Sequence, residues 1–259
     1  MKKTLHDIVF TSNLAQDTLL LLNDGPKDIE SILSTLKTNR QALFPQIRLL
    51  KEKNIIYHEG DSCGLTAFGK IIVNKMVPLL STFDLLEDLS DYKLDFIPPH
   101  LLKRVGEIGP CNVIDPSLPE ICELDKEFHR KSEESRSVIS ITTFLFPNFS
   151  DIFAAYTEKG VHVSIVISDI LHDKLKCSNY NEYKKLLDNE ITEIYVHEAP
   201  LGLVSFTQND YSILLRLLSG TEYSNYDYKR ILFQRPASLA WGRDLFDHYK
   251  KKSLQVTDI

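Results

Sequence analysis

A chain of 259 residues, 43% hydrophobic and 25% charged, can bury a substantial core as one large domain or two ordinary ones. It holds no apolar run near the roughly 18 residues of a membrane-crossing helix, and Asp7 interrupts the stretch where a secretion signal would stay apolar, so a cytoplasmic protein without membrane contact is expected. The net charge of -6 excludes a surface that is basic all over; residues 1–80 carry 10 Lys and Arg against 8 Asp and Glu, leaving 20 against 28 for the rest, so a local excess of positive charge belongs to the first segment alone.

In chain order, Ser12 can cap a helix from about Asn13 to Asn23, which Asp24-Gly25-Pro26 ends. Ile29, Ile32, Leu33 and Leu36 then form the apolar stripe of a second helix, with Asp28 and Glu30 in its first turn. Lys37-Thr38-Asn39 makes a short step, and Thr38 with Gln41 has the spacing of a capping box that opens a third helix. On that helix Leu43, Ile47 and Leu50 share one side with Asn54, Gln41, Arg48 and Glu52 lie opposite, and Arg40, Phe44 and Lys51 run along a flank. Pro45 removes one backbone donor there and is expected to bend or shorten the helix.

Ile55-Ile56-Tyr57-His58, Glu59-Gly60-Asp61-Ser62 and Cys63-Gly64-Leu65-Thr66 read as two short strands around a turn, which is a wing. Thr66 can cap the next helix, where Ile71, Ile72, Lys75, Met76 and Leu79 form an edge for the core or for a partner subunit. Three helices, a hairpin and a helix make a winged helix-turn-helix, whose second motif helix enters the major groove of double-stranded DNA. The candidate DNA contacts are Lys37, Thr38, Asn39, Arg40, Gln41, Phe44, Arg48, Lys51 and His58. Arg can donate two bonds to guanine, and Asn or Gln can pair bidentately with adenine.

Phe96-Ile97-Pro98-Pro99 follows an acidic helical stretch and suits a boundary, so residues 1–95 are expected to form the DNA-binding domain, 96–136 a connecting helical segment, and 137–259 an α/β domain. In that last part, strand text at Val138–Phe144, a helix at Asn148–Lys159 and an alternating strand at Val161–Ser168 predict a parallel crossover. A helix at Asn181–Asn189, strands at Glu193–His197, Gly202–Phe206 and Tyr211–Leu218, and a final helix from Pro236 complete a mixed sheet with helices on its faces. The overall fold class is therefore α+β in the first domain and α/β in the second. A ligand pocket at the C-terminal strand ends would take in Thr142, Thr143, Ser168 and Asp169. His197-Glu198 reads as an exposed strand end, and Tyr223, Tyr226 and Tyr228 around Asp227 as surface aromatics.

Asp24-Gly25-Pro26-Lys27, Phe44-Pro45-Gln46-Ile47-Arg48-Leu49-Leu50, Leu65-Thr66-Ala67-Phe68-Gly69-Lys70 and Ser238-Leu239-Ala240-Trp241-Gly242-Arg243 together resemble the archaeal winged-helix regulators of the FilR-type methanogenesis regulator family. The resemblance runs nearly the length of the chain and implies DNA binding, regulation of transcription in a methanogen, and a recognition helix that tolerates Pro45. The order of the second domain also looks like a reduced phospholipase-D-like domain. Catalytic members of that class need a His-x-Lys-x4-Asp unit, and this chain has His162-x-Ser164-x4-Asp169 instead, without the phosphate-holding Lys. A catalytically degenerate domain that senses a small-molecule or protein effector is thus expected, in a homodimer matched to two DNA half-sites. A phosphodiesterase-like enzyme and a winged-helix protein-interaction module are the competing readings. The 4 cysteines, at positions 63, 111, 122 and 177, show no zinc spacing and read as structural thiols, so no metal or cofactor is expected.

Overall fold

Ser12, Asp28 and Asn39 each place a side-chain oxygen on a helix amide, and these caps set the boundaries of the N-terminal fold. The computed structural model describes residues 4–121, 123–220 and 225–259, so Cys122 and Tyr223 lie outside the described residues. Within it the chain divides into two compact units, residues 1–80 and 81–259.

The first unit contains α1 (Leu5–Phe10), α2 (Asn13–Asn23), β1 (Lys27–Asp28), α3 (Ile29–Thr35), α4 (Arg40–Glu52), β2 (Ile56–Glu59), β3 (Ser62–Leu65) and the first part of α5 (Ala67–Asp88). Its core joins Leu19 and Leu22 of α2, Ile29 and Ile32 of α3, Leu43, Ile47 and Leu50 of α4, and Val73 and Met76 of α5. Each such side chain contributes about 1.5–3 kcal/mol by leaving water.

The turn between α3 and α4 closes by two backbone bonds, Thr38 N–H to Leu33 O (3.1 Å) and Lys37 N–H to Ser34 O (3.4 Å), with Lys37 left-handed at φ 47°. The cap of α4 is Asn39, whose Oδ1 accepts from Ala42 N–H at 3.0 Å, and not the expected Thr38. The turn bonds consume Thr38, which leaves Gln41 one residue too early to complete a capping box. Pro45 lies inside α4 without ending it. The other end of α4 repeats the closure: Asn54 is left-handed at φ 57°, and Ile55 N–H reaches Leu50 O at 2.9 Å. Asn54 is therefore exposed and not part of the apolar side.

The wing pairs Ile56 with Leu65 and Glu59 with Ser62 across a two-residue turn at Gly60 and Asp61, and β1 adds a strand on the other edge of β3. Thr66 caps α5 by accepting from Gly69 N–H (3.0 Å) while its hydroxyl donates to Asn54 O (2.6 Å). Gly69 is required at this crossing, because a Cβ there would run into the Ile55 carbonyl.

The second unit comprises the end of α5, α6 (Pro99–Leu102), β4 (Asn112–Ile114), α7 (Lys126–Glu133), β5 (Ser137–Thr142), α8 (Phe149–Glu158), β6 (His162–Ser168), α9 (Asp169–Ser178), α10 (Tyr180–Leu187), β7 (Thr192–His197), β8 (Ser205–Gln208), β9 (Ile213–Arg216), β10 (Arg230–Phe233), α11 (Pro236–Lys250) and β11 (Leu254–Gln255). Its sheet has the order β11-β7-β6-β5-β8-β9-β10-β4; β5, β6 and β7 are parallel and the other pairs antiparallel.

One face of the sheet packs on α11, which buries Trp241, Leu245 and Phe246 against Ile139, Ile141 and Phe206. Trp241 Nε1–H donates to Leu101 O at 3.1 Å, and Gly242 leaves room for Ile213 Cδ1, which a Cβ would approach to 2.6 Å. The other face is covered by α8, α9 and α10, with Phe149, Phe153, Leu171 and Tyr183 over Val138, Val163, Ile165 and Ile194.

Two boundaries differ from the expectation. The first unit ends at residue 80 and not 95, because Leu85, Leu89, Phe96 and Ile97 bury into the second unit's core. Residues 96–136 are no separate connection: Leu101, Val105 and Ile108 belong to that same core. The expected strand from Gly202 begins only at Ser205, since Gly202 is left-handed at φ 70°. No helix among the described residues is long and apolar enough to cross a membrane.

Candidate functional site

Two features of the structure can meet a partner: the outer face of α4 and a cavity in the second unit. On α4, burial of Leu43, Ile47 and Leu50 turns Arg40, Gln41, Phe44, Arg48 and Glu52 outward, all exposed. Asn39 is exposed at the cap with its amide nitrogen uncommitted to the helix. Arg40 bonds Glu30 of α3, and Arg48 Nε bonds Glu52 at 3.0 Å, so both arginines are oriented by exposed carboxylates that cost little to release.

Lys51 differs from them, because its Nζ donates to the His58 carbonyl at 3.0 Å and ties α4 to the wing. His58 itself is half-buried on β2 opposite Cys63, and burial pushes the Cys63 thiol up to about 11. Lys37 is exposed in the turn, whereas Thr38 is half-buried. The structure thus gathers Asn39, Arg40, Gln41, Phe44 and Arg48 on one surface and gives Lys51 a positioning contact.

In the second unit the expected strand-end residues separate. Thr142 lines a cavity, its Oγ1 donating to Phe144 O at 2.6 Å. Thr143 faces away and donates to Val204 O at 3.0 Å, Ser168 caps α9 by accepting from Leu171 N–H at 3.2 Å, and Asp169 accepts from Ile170 N–H at 2.7 Å. Each of these three makes a hydrogen bond to backbone, and Thr143 and Asp169 are exposed. His162 and Asp169 flank the ends of β6, about 23 Å apart at ~3.3 Å per residue, and Ser164 Oγ bonds Glu193 at 2.9 Å. They do not converge on a reacting atom.

His197 is buried, not an exposed strand end: its ring meets Tyr249 at 5.2 Å, and Nδ1 lies 3.1 Å from Ser253 Oγ. The rings of Tyr226 and Tyr228 lie 5.0 Å apart, tilted by 50°, and Asp227 accepts from Tyr92 at 2.8 Å.

The cavity, of about 90 Å³, lies between the sheet and the helices α7 and α8. Its walls are Phe128, Phe149, Phe153, Tyr156, Val163 and Ile165, and its polar end is Arg216 with Ser205, Ser140 and Thr142. Arg216 is 6% exposed, donates to Ser205 Oγ at 3.3 Å, and sits over the rings of Phe144 and Phe146 at 5.9 and 5.6 Å. The sequence reading passed over it. The available signal was an arginine inside the apolar strand text Ile213-Leu214-Leu215-Arg216-Leu217, where a charge is seldom buried without a reason.

Residues 3–84 match the N-terminal domain of the methanogenesis regulatory protein FilR1, and residues 121–252 match its middle domain. The methanogenesis regulatory protein FilR1 of Methanothrix harundinacea (strain 6Ac) is 22% identical over 259 residues, covering 96% of this chain; the chain spans 57% of that relative's length. Among solved structures, TrmBL2, an archaeal chromatin protein, aligns with 97% of each chain at 15% identity and a TM-score of 0.44. Nuc of Salmonella typhimurium, a phospholipase D family member, aligns over 57% of this chain and 100% of its own at 11% identity and a TM-score of 0.43. With the middle-domain match alone spanning just over half of its residues, the chain belongs to the family of the methanogenesis regulatory protein FilR1.

Proposed function

We propose that the chain is a DNA-binding regulator of transcription that acts as a homodimer and answers a signal through its second unit. The observation that carries this reading is the outer face of α4, where Asn39, Arg40, Gln41, Phe44 and Arg48 stand together on the second helix of a helix-turn-helix whose other side is fully packed. Arg, Asn and Gln at the start of that helix are the side chains suited to base edges in the major groove, and Arg48 about two turns further on is suited to a phosphate. Membership in a family described as regulatory supports the same reading.

A homodimer is supported by α5, whose Phe68, Ile71 and Leu79 are exposed at spacings of three and eight residues, with Lys75 midway between the last two. The edge expected on this helix splits accordingly: Met76 enters the core, while Ile71 and Leu79 stay exposed for a partner. Selection of bound fragments from the source genome, followed by anisotropy titration with one of them, tests the regulator reading. Saturable, sequence-dependent binding is expected. Identical affinity for selected and scrambled duplexes at every salt concentration would reject it and favour a protein-interaction role for the winged helix.

A further inference from the structure

A buried guanidinium without a carboxylate is costly, because removal of a charge from water is compensated only by an opposite charge or a full set of hydrogen bonds. Arg216 and Arg230 are each 6% exposed and end adjacent strands: Leu215 pairs with Ile231, so the two arginines stand opposite each other one step further along. Arg230 is well provided for. Its Nη2 donates to the carbonyls of Glu120 (2.6 Å) and Glu123 (2.9 Å), and Asp125 lies 3.7 Å from its Nη1.

Arg216 has no carboxylate within 4 Å among the described residues; it has the Ser205 hydroxyl and the Tyr226 phenol as polar partners and two aromatic rings beside it. Burial and the neighbouring Arg230 both oppose its charge. Among the described residues two buried cations therefore share one carboxylate, and the one without it within 4 Å faces a cavity. The cavity is walled by aromatic and branched side chains from α7, α8, β5 and β6, with Ser140, Thr142 and Thr207 on the sheet and Asp125 and His129 on the side of α7.

We propose that this cavity binds a small amphipathic carboxylate, its anionic end on Arg216 and the Ser205 hydroxyl and its aliphatic chain between Phe128, Phe149, Phe153 and Val163. A single negative charge balances the excess, and a planar carboxylate matches the fork of a guanidinium. A second negative charge would exceed the single excess and meet Asp125, which also lines the cavity, and this disfavours a phosphate dianion. The volume of about 90 Å³ limits the ligand to a short chain. Filling the cavity would join β5, β6, α7 and α8 through one ligand. The consequence for DNA rests on the signal-responsive reading proposed above, but the binding itself does not.

The test is isothermal titration of the full chain, without DNA, by the straight-chain carboxylates from acetate to octanoate and by the primary alcohols of equal length. Saturable binding of the carboxylates is expected, tightest at intermediate length, with the alcohols at least tenfold weaker. Arg216→Met should abolish it, and Val138→Leu, one methylene larger in the cavity wall, should shift the preferred length to shorter chains. The length profile of the unaltered protein keeps the test decisive even if Arg216→Met fails to fold. No carboxylate binding, equal binding of alcohols, or binding unchanged in a folded Arg216→Met variant would overturn the assignment. Carboxylate binding in a protein that shows no affinity for any duplex would leave the assignment standing and overturn the regulator reading instead.

Discussion

Arg230 and Arg216 stand opposite each other at the ends of β10 and β9, and among the described residues Asp125 is the carboxylate within 4 Å of Arg230. Asp125 has a second task, accepting from Phe128 N–H at 2.9 Å as the cap of α7. Asp125→Asn keeps an oxygen for that cap and removes the charge, which leaves two buried guanidinium groups with no carboxylate within 4 Å among the described residues. A loss of about 3 kcal/mol in urea denaturation is expected. A change below about 0.5 kcal/mol would mean that water already neutralises this corner.

On α4, Arg40→Ala should cost about 1–3 kcal/mol on the selected DNA site and relax preference at one base position. Arg48→Ala should instead weaken all sequences alike and lower the slope of log affinity against log salt by about one. Anisotropy at several salt concentrations separates the two. Equal affinities of variant and parent on cognate and scrambled duplexes would remove the outer face of α4 from DNA contact.

Gly69→Ala exchanges a poor helix former for the best one, a gain of up to about 1 kcal/mol. The added Cβ would, however, meet the Ile55 carbonyl, a backbone atom fixed by the Thr66 cap. Displacement of packed backbone costs about 1–3 kcal/mol, so a net decrease in the stability of the first unit is expected by denaturant titration. A more stable variant would show that α5 can shift freely against the wing.

Burial lowers the pKa of His172, His197 and His248, with Lys176, Lys252 and neighbouring cations acting in the same direction. Unfolded histidine titrates near 6.5. Because the folded values are lower, the unfolded chain takes up protons first on acidification, and stability that is complete above about pH 6.5 drains away as pH falls through the folded values. Calorimetry from pH 7.5 to 5.5 should show a flat melting temperature followed by a decline, shallower in His197→Gln. A melting temperature that holds steady down to pH 5.5 contradicts this.

His162 is exposed at the start of β6, far from Asp169, and Ser164 offers no cation for a phosphoryl group. Phosphoryl transfer depends chiefly on such electrostatic stabilisation. Purified protein should therefore not hydrolyse lipid or nucleic-acid phosphodiesters, and His162→Ala should leave the fold unchanged by circular dichroism. Turnover that the His162 variant loses while still folded would establish an enzyme.

What the sequence by itself determined is chiefly local. Caps at Ser12 and Thr66, the turn at Gly60 and Asp61, and the three-and-four spacing of Leu43, Ile47 and Leu50 rest on neighbours within a few residues, so the winged helix-turn-helix and the outward face of α4 could be read from them. Even there Thr38 was mistaken for the cap, because a cap depends on which residue the preceding turn leaves in extended conformation, and the left-handed Lys37 decides that.

Only the tertiary structure decided the second site. Asp125, Thr142, Ser205 and Arg216 come from separate strands and loops and meet through the register of β5, β8 and β9, which no periodicity announces. The strand-end residues Thr143, Ser168 and Asp169 have the expected chemistry, and each bonds to backbone outside the cavity lining. A side chain is available to a ligand only after its local partners are satisfied, and that balance is set by long-range packing, as the unbalanced charge of Arg216 shows.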